Sequence, residues 1–340
     1  MIAVKSSGYT ALIPALIGAV ISLLFIHTGL AVVFFLLPLG FIGFGWGPRT
    51  LWAGLGFAVI GNCLLTVISG FSVNMPFTDM IWDIIYFTAT AAAFAWIILP
   101  PGHISYRIPG AYRLGLGALL CTLVFSGLFI KVTAEPSFND SVKGQIQSIA
   151  SLYMSGSTEE AQKAFLDSLD TDKIIELMKN IIIRGGALFS SIVILFVNRQ
   201  LSAFLIRFFG APRRANVFQG FHADSRVIWV LSISALLLLI SSTFAWSIPG
   251  IVLWNIVVLC VMMYLAQGFG IAGFYMSKPG FPPFMRFIIP VVFVLLLFSP
   301  VVNAIMLGAI ILLGIAENWI AFRTANIAVN NSGPPSTPQA

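Results

Sequence analysis

Apolar runs of membrane-crossing length recur along this chain from Ala11 to Phe322. A helix rises ~1.5 Å per residue and the hydrocarbon core is ~30 Å thick, so one span needs about 20 mostly apolar residues. Backbone amides in lipid have no water to bond, so each run must satisfy its own N–H and C=O groups. The runs are continuously apolar rather than alternating, which selects helices over a barrel. Composition agrees. The chain has 340 residues, 59% of them hydrophobic and 9% charged, whereas a soluble domain carries about 25% charged residues. The expected fold is an all-α, polytopic integral membrane helical bundle.

Ten spans are expected, at about 9–27, 29–46, 50–70, 80–99, 112–133, 180–207, 227–245, 248–274, 284–299 and 301–321. Two joints are weak, His27-Thr28-Gly29 and Ser299-Pro300. A proline can break a helix or only kink it, so eight or nine spans are the alternatives. Basic residues favour ten. Cytoplasmic loops of a membrane protein collect Lys and Arg. Here Lys5, Arg49, Arg107, Arg113, Arg199, Arg207, Arg213, Arg214, Arg226, Lys278, Arg286 and Arg323 fall on alternate connections. Short connections near residues 28, 71–78, 246–249 and 300 have none. Both termini are therefore expected in the cytoplasm and the protein in a bacterial inner membrane. The first apolar run has no convincing small-residue cleavage site and is expected to be retained.

The expected organisation is a five-span block over 1–134, an extracytoplasmic helical insertion over 135–178, a second five-span block over 179–323, and a disordered tail over 324–340. The insertion is acidic, with Ser157-Thr158-Glu159-Glu160 as a capping box. Phe165, Leu166 and Leu169, then Ile174, Ile175, Leu177 and Met178, follow at helical spacing. Two short amphipathic helices on the outer surface are expected.

The net charge is +6. Its cations sit between apolar runs, so it sets topology and does not point to nucleic acid. HExxH, GxSxG, a P-loop and an acidic pair of the DDxxD type are all absent. Cys63, Cys121 and Cys260 lie inside apolar runs, and His27, His103 and His222 have no ligand spacing. A non-enzymatic protein with no cofactor or metal is expected, with the lipid bilayer as its surroundings.

Polar residues inside spans are costly and usually face protein or water. Asp79, Asp83, Arg184, Asn255 and Asn303 fall at similar depth near the outer ends and form a candidate solute pocket, in which Asp83 could pair with Arg184. The competing explanation is separate interfacial residues reaching toward headgroups beside Trp82, Trp246 and Trp254. Asn62 and Gln267 lie deeper and suit helix–helix contacts. Ala11, Ala15 and Ala19 recur every four residues in the first span. Such a stripe serves internal packing or docking of a membrane protein partner. The last apolar run closes with GIAENWIAFR. There Glu317, Trp319 and Arg323 form a candidate interface anchor, with Arg323 one turn from the Trp319 indole. Glu317, a turn deeper, lacks an evident partner.

The span order, the stretch FFGAPRRANVFQGFHADSRVIWVLSIS and the closing Gly314-x-x-Glu317-x-Trp319-x-x-x-Arg323 resemble the YybS-like bacterial membrane proteins, a family with domain of unknown function 2232. The resemblance covers roughly residues 10–323. In its first block that family is similar to the substrate-binding subunits of energy-coupling-factor vitamin transporters. This similarity implies a small-molecule ligand of unknown identity, bound near the outer face, and docking through the alanine stripe. The expected role is a small-molecule binding or transport subunit working with a membrane partner. The alternative is a membrane scaffold or assembly factor without a transported solute.

Overall fold

The computed structural model describes residues 8–29, 32–72, 76–99, 110–153, 170–209, 221–244, 247–278, 280–296 and 299–323. Every regular element among them is helical. In chain order they are α1 (Gly8–His27), a 3-10 turn (Val32–Phe34), α2 (Leu37–Trp46), α3 (Pro48–Ser72), α4 (Phe77–Ile98), α5 (Gly110–Ala134), α6 (Pro136–Tyr153), α7 (Thr171–Ile181), a π segment (Ile182–Gly186), α8 (Ala187–Phe208), α9 (Arg226–Thr243), α10 (Ser247–Ser277), α11 (Pro283–Leu296) and α12 (Pro300–Ala316). The Ser157–Glu160 capping box, the basic cluster at 213–214 and the tail after 323 lie outside the described residues.

Among the described residues, six stretches are long and apolar enough to cross a bilayer: Pro48–Ser72, Phe77–Ile98, Tyr112–Ala134, Thr171–Ile206, Arg226–Thr243 and Pro249–Ser277. Shorter apolar helices cover Ala11–His27, Val32–Trp46 and Val302–Ala316. The protein is a polytopic helical membrane bundle. Both weak joints are breaks. Gly29 sits at φ 71, a left-handed backbone that glycine adopts without a Cβ penalty. Ser299 is extended and Pro300 opens α12, where the missing proline N–H costs nothing. Outward faces are as apolar as the core: Ile60, Leu64 and Ile68 on α3 and Trp229, Ile233 and Leu236 on α9 are exposed. In water such faces would drive aggregation; here they meet lipid.

The chain forms two compact units. Unit one comprises Met1–Ile108, Arg113–Arg213 and Ser247–Asn255; unit two comprises Pro109–Tyr112, Arg214–Trp246 and Ile256–Ala340. In unit one α1 packs along α3, α3 along α4, and α2 against α8. Chain order places α8 in the second block of spans, yet it packs on α2.

The stretch at 32–46 rises too little as a helix: at ~1.5 Å per residue, the 10 residues of α2 climb only about 15 Å. The break before α2 exposes carbonyls that lipid cannot satisfy. Side chains from two other helices supply the donors. Ser22 Oγ donates to Phe35 O (2.5 Å), Asn198 Nδ2 to Val33 O (2.6 Å) and Ser202 Oγ to Leu37 O (2.9 Å). All three side chains are buried. They let irregular backbone persist at membrane depth because it is enclosed in protein.

Two alanines of the α1 stripe pack inside the chain. Ala15 and Ala19 are buried. A Cβ on Gly54 of α3 would stand 3.3 Å from the Ala15 carbonyl oxygen, so the two backbones nearly touch. Dispersion contacts of this kind drive helix association in lipid. Ala15 and Ala19 thus serve packing within the chain, while Ala11 is half-buried.

In unit two, α10 and α12 cross at two glycines. A Cβ on Gly314 would lie 2.1 Å from Tyr264 O, and one on Gly268 would lie 2.1 Å from Ile310 O. Phe221, Ala223 and Tyr264 form the buried core beside this crossing, flanked by Tyr112, Met263, Ile311 and Ile315.

Candidate functional site

The amphipathic helices α6 and α7 are tied to the end of α5. Lys179 of α7 donates to Asn139 Oδ1 (3.0 Å) and Thr133 O (3.4 Å), and its ammonium stands 5.2 Å from the Phe138 ring centroid. Lys143 and Asp172 pair at 2.8 Å. Asp170 caps α7 by accepting the Lys173 amide at 3.1 Å. That bond and the Lys173 ammonium hold the Asp170 carboxyl below its ordinary range. Because Asp170 is fully exposed, this changes local order and little else.

At the join of α7 and α8 the helix is interrupted. Arg184 leaves helical geometry, and Gly185 adopts φ 127, a conformation that a side chain would oppose. The interruption frees the Ile183 carbonyl. Asn255 of α10 takes it, donating from Nδ2 at 3.0 Å, and also bonds Ile251 O at 2.9 Å. Asn255 Oδ1 is buried and unpartnered among the described residues. Arg184 is exposed. The Arg184 backbone, the Asn255 amide and the first turn of α8 therefore meet at one break in unit one. π segments of this type often mark functional positions.

Other members of the predicted pocket are distributed differently. Asp79 pairs with Lys131, which also donates to Thr78 Oγ1 at 2.8 Å. Asp83 is exposed, and no ion pair among the described residues joins it to Arg184; the expected Asp83–Arg184 pair is not formed. His27 Nε2 stands 3.1 Å from Asn62 Oδ1. Asn303 belongs to unit two. Lys131 is a partner that the span pattern does not single out. Its signal was one lone lysine at the end of the fifth apolar run, a turn-by-turn match for Asp79 across an antiparallel hairpin.

The closing stretch GIAENWIAFR is rearranged relative to expectation. Arg323 does not lie over the Trp319 indole. Its Nε donates to Glu317 Oε1 at 2.6 Å, its Nη2 donates to Glu317 Oε2, and Nη2 also donates to Phe221 O at 2.7 Å. Glu317 is 6% exposed. His222 Nδ1 lies 3.7 Å from Glu317 Oε2 and carries charge toward it only when protonated. Gln267 Oε1 accepts the Ala223 amide at 2.8 Å, and Tyr112 Oη accepts the Asp224 amide at 3.0 Å. Together these bonds fasten residues 221–224 to α10, to the segment that follows α12 and to the start of α5. Trp319 is 72% exposed. Glu317 and Arg323 instead form a buried clamp. The clamp immobilises backbone and presents no free acid or base.

Residues 110–315, more than half of the chain, match the family model described as Predicted membrane protein (DUF2232). The chain belongs to this family. The DUF2232 match begins with α5 and ends inside α12, so it includes the α7–α8 interruption, Asn255, Gln267 and the Gly268–Gly314 crossing. It contains none of residues 10–109. Among curated proteins and among solved structures, nothing matches the chain.

Proposed function

We propose that this DUF2232 protein is a non-enzymatic bacterial inner-membrane protein that binds a small solute from the outer side and passes it on with a membrane partner. The observation that carries this reading is the broken helix at Arg184–Gly185. Discontinuous helices in membrane proteins place charged groups and free backbone at solute sites, and an ionisable residue there is a functional candidate by default. An exposed guanidinium beside the N-terminus of α8 favours a solute with a negatively charged group.

The test is mass spectrometry of small molecules retained on purification. Arg184→Gln should reduce retention roughly 10–100-fold, the range for losing a charge-assisted hydrogen bond worth about 1.5–3 kcal/mol. Equal retention by wild type and variant, or no small molecule on either, would reject this site. A membrane scaffold is the second reading, favoured by the exposed Leu177, Met178 and Ile181 of α7. Its outcome is a co-purifying protein with no solute.

The cytoplasmic placement of both termini has its own check. Reporter fusions after residue 150 and after residue 215 should report opposite sides of the membrane. The same side for both would remove the orientation on which an outer solute site depends.

A further inference from the structure

Arg113 of α5 is 9% exposed. Both of its hydrogen bonds come from one nitrogen: Nη1 donates to Leu99 O at 2.9 Å and Trp96 O at 3.3 Å. These carbonyls end α4, so Arg113 caps that helix and meets the negative end of its dipole. Nε is buried and has no partner among the described residues. A guanidinium stays charged at any ordinary pH, and two neutral carbonyls offset only a fraction of the cost of burying it.

The described residues of unit one offer Arg113 no carboxylate. Every Asp and Glu within it lies at Asp79, Asp83 or between Glu135 and Glu176. Asp83 is 16 positions before Leu99 along α4, about 24 Å at ~1.5 Å per residue. Glu135 follows α5, whose remaining 21 residues after Arg113 span about 32 Å. Lys131 pairs with Asp79, so the C-terminal end of α5 lies with the N-terminal end of α4. The described acids of unit one therefore lie toward the opposite ends of these helices from Arg113. No ion pair among the described residues includes Arg113.

We infer that the Nε–Nη2 edge of Arg113 binds a phosphate oxyanion at the C-terminal end of α4, supplied by an anionic phospholipid headgroup or by free phosphate. The two N–H groups on that edge are parallel, which suits two oxygens of one phosphate. Nη1 is held by the α4 carbonyls, so the edge is fixed in direction before the anion arrives. The site is independent of the solute site proposed at Arg184, and each can fail without the other.

The experiment uses the full chain in detergent with equimolar phosphatidylglycerol and phosphatidylcholine, and native mass spectrometry counts the bound lipid. Wild type should retain phosphatidylglycerol preferentially. Arg113→Gln should lower that retention at least about fivefold, the factor for one basic residue at an anionic surface. Inorganic phosphate is the second arm. If it stabilises the wild type alone and displaces phosphatidylglycerol, the oxyanion is free phosphate; if only the lipid binds, the headgroup is the source. Should Arg113→Gln not fold, Arg113→Lys keeps the charge but loses the paired edge, and its phosphatidylglycerol retention should fall below wild type. Equal retention by wild type and a folded variant, with no stabilisation by phosphate, would overturn the site and leave Arg113 as a helix cap.

Discussion

Replacing Arg323 with methionine should lower the unfolding free energy by about 3–5 kcal/mol, the cost of stranding one partner of a buried ion pair. The physical reason is the burial of Glu317, whose side chain is 3% exposed. Arg323 bonds both carboxylate oxygens and also the Phe221 carbonyl. Methionine keeps the packing volume and removes every donor. The double variant Glu317→Gln with Arg323→Met should recover much of the loss, because no buried charge is then left alone. It should not recover all of it, since Phe221 O stays without its donor. His222→Ala should matter far less, below about 1 kcal/mol, because His222 is largely exposed and screened. Unfolding midpoints in one fixed detergent decide the matter. An Arg323→Met variant as stable as wild type would mean that the clamp does not form.

Gly314→Ala should destabilise the α10–α12 crossing, at or above the ~1–3 kcal/mol of an overpacked core. A single methyl would sit 2.1 Å from the Tyr264 carbonyl oxygen and 3.1 Å from the Gly268 amide nitrogen. Those atoms are backbone, so no rotamer change relieves the clash and the helices have to separate. The control lies on the same helix. Gly308 has nothing within 4 Å of its added Cβ, and alanine favours a helix over glycine by about 0.5–1 kcal/mol. Gly308→Ala should be neutral or stabilising. Equal melting of the two variants would show that the crossing is looser than described.

The helices themselves were legible from the sequence, because a run of 20 apolar residues has no other way to satisfy its amides in lipid. Even the two weak joints were readable: Gly29 and Pro300 interrupt a helix through local backbone chemistry. Partnerships were less legible. Glu317 and Arg323 are six positions apart, not the three or four of a continuous helix. They meet only because the chain leaves helical geometry after Ala316. Arg113 read as one more topology-setting charge, because the basic rule counts a residue's side of the membrane and not what its nitrogens touch. The alanine stripe gave the right chemistry and left its partner open. A small-residue face packs equally well on a neighbouring helix of the same chain or on another protein, and the position of Gly54 shows that Ala15 packs within the chain.

The sequence by itself therefore determined that this is an all-helical membrane protein, where its apolar helices lie, and where they break. Those properties depend on transfer to lipid and on local dihedral preference, both of which act within about 20 residues. Only the tertiary structure decided which polar groups are spent and which remain. Asp79 goes to Lys131, Glu317 to Arg323 and Asn255 to the carbonyl freed at Ile183. The Nε of Arg113 keeps no partner among the described residues. Hydrogen bonds and ion pairs act over about 3 Å, and the chain reaches such distances between remote residues only after its helices have packed.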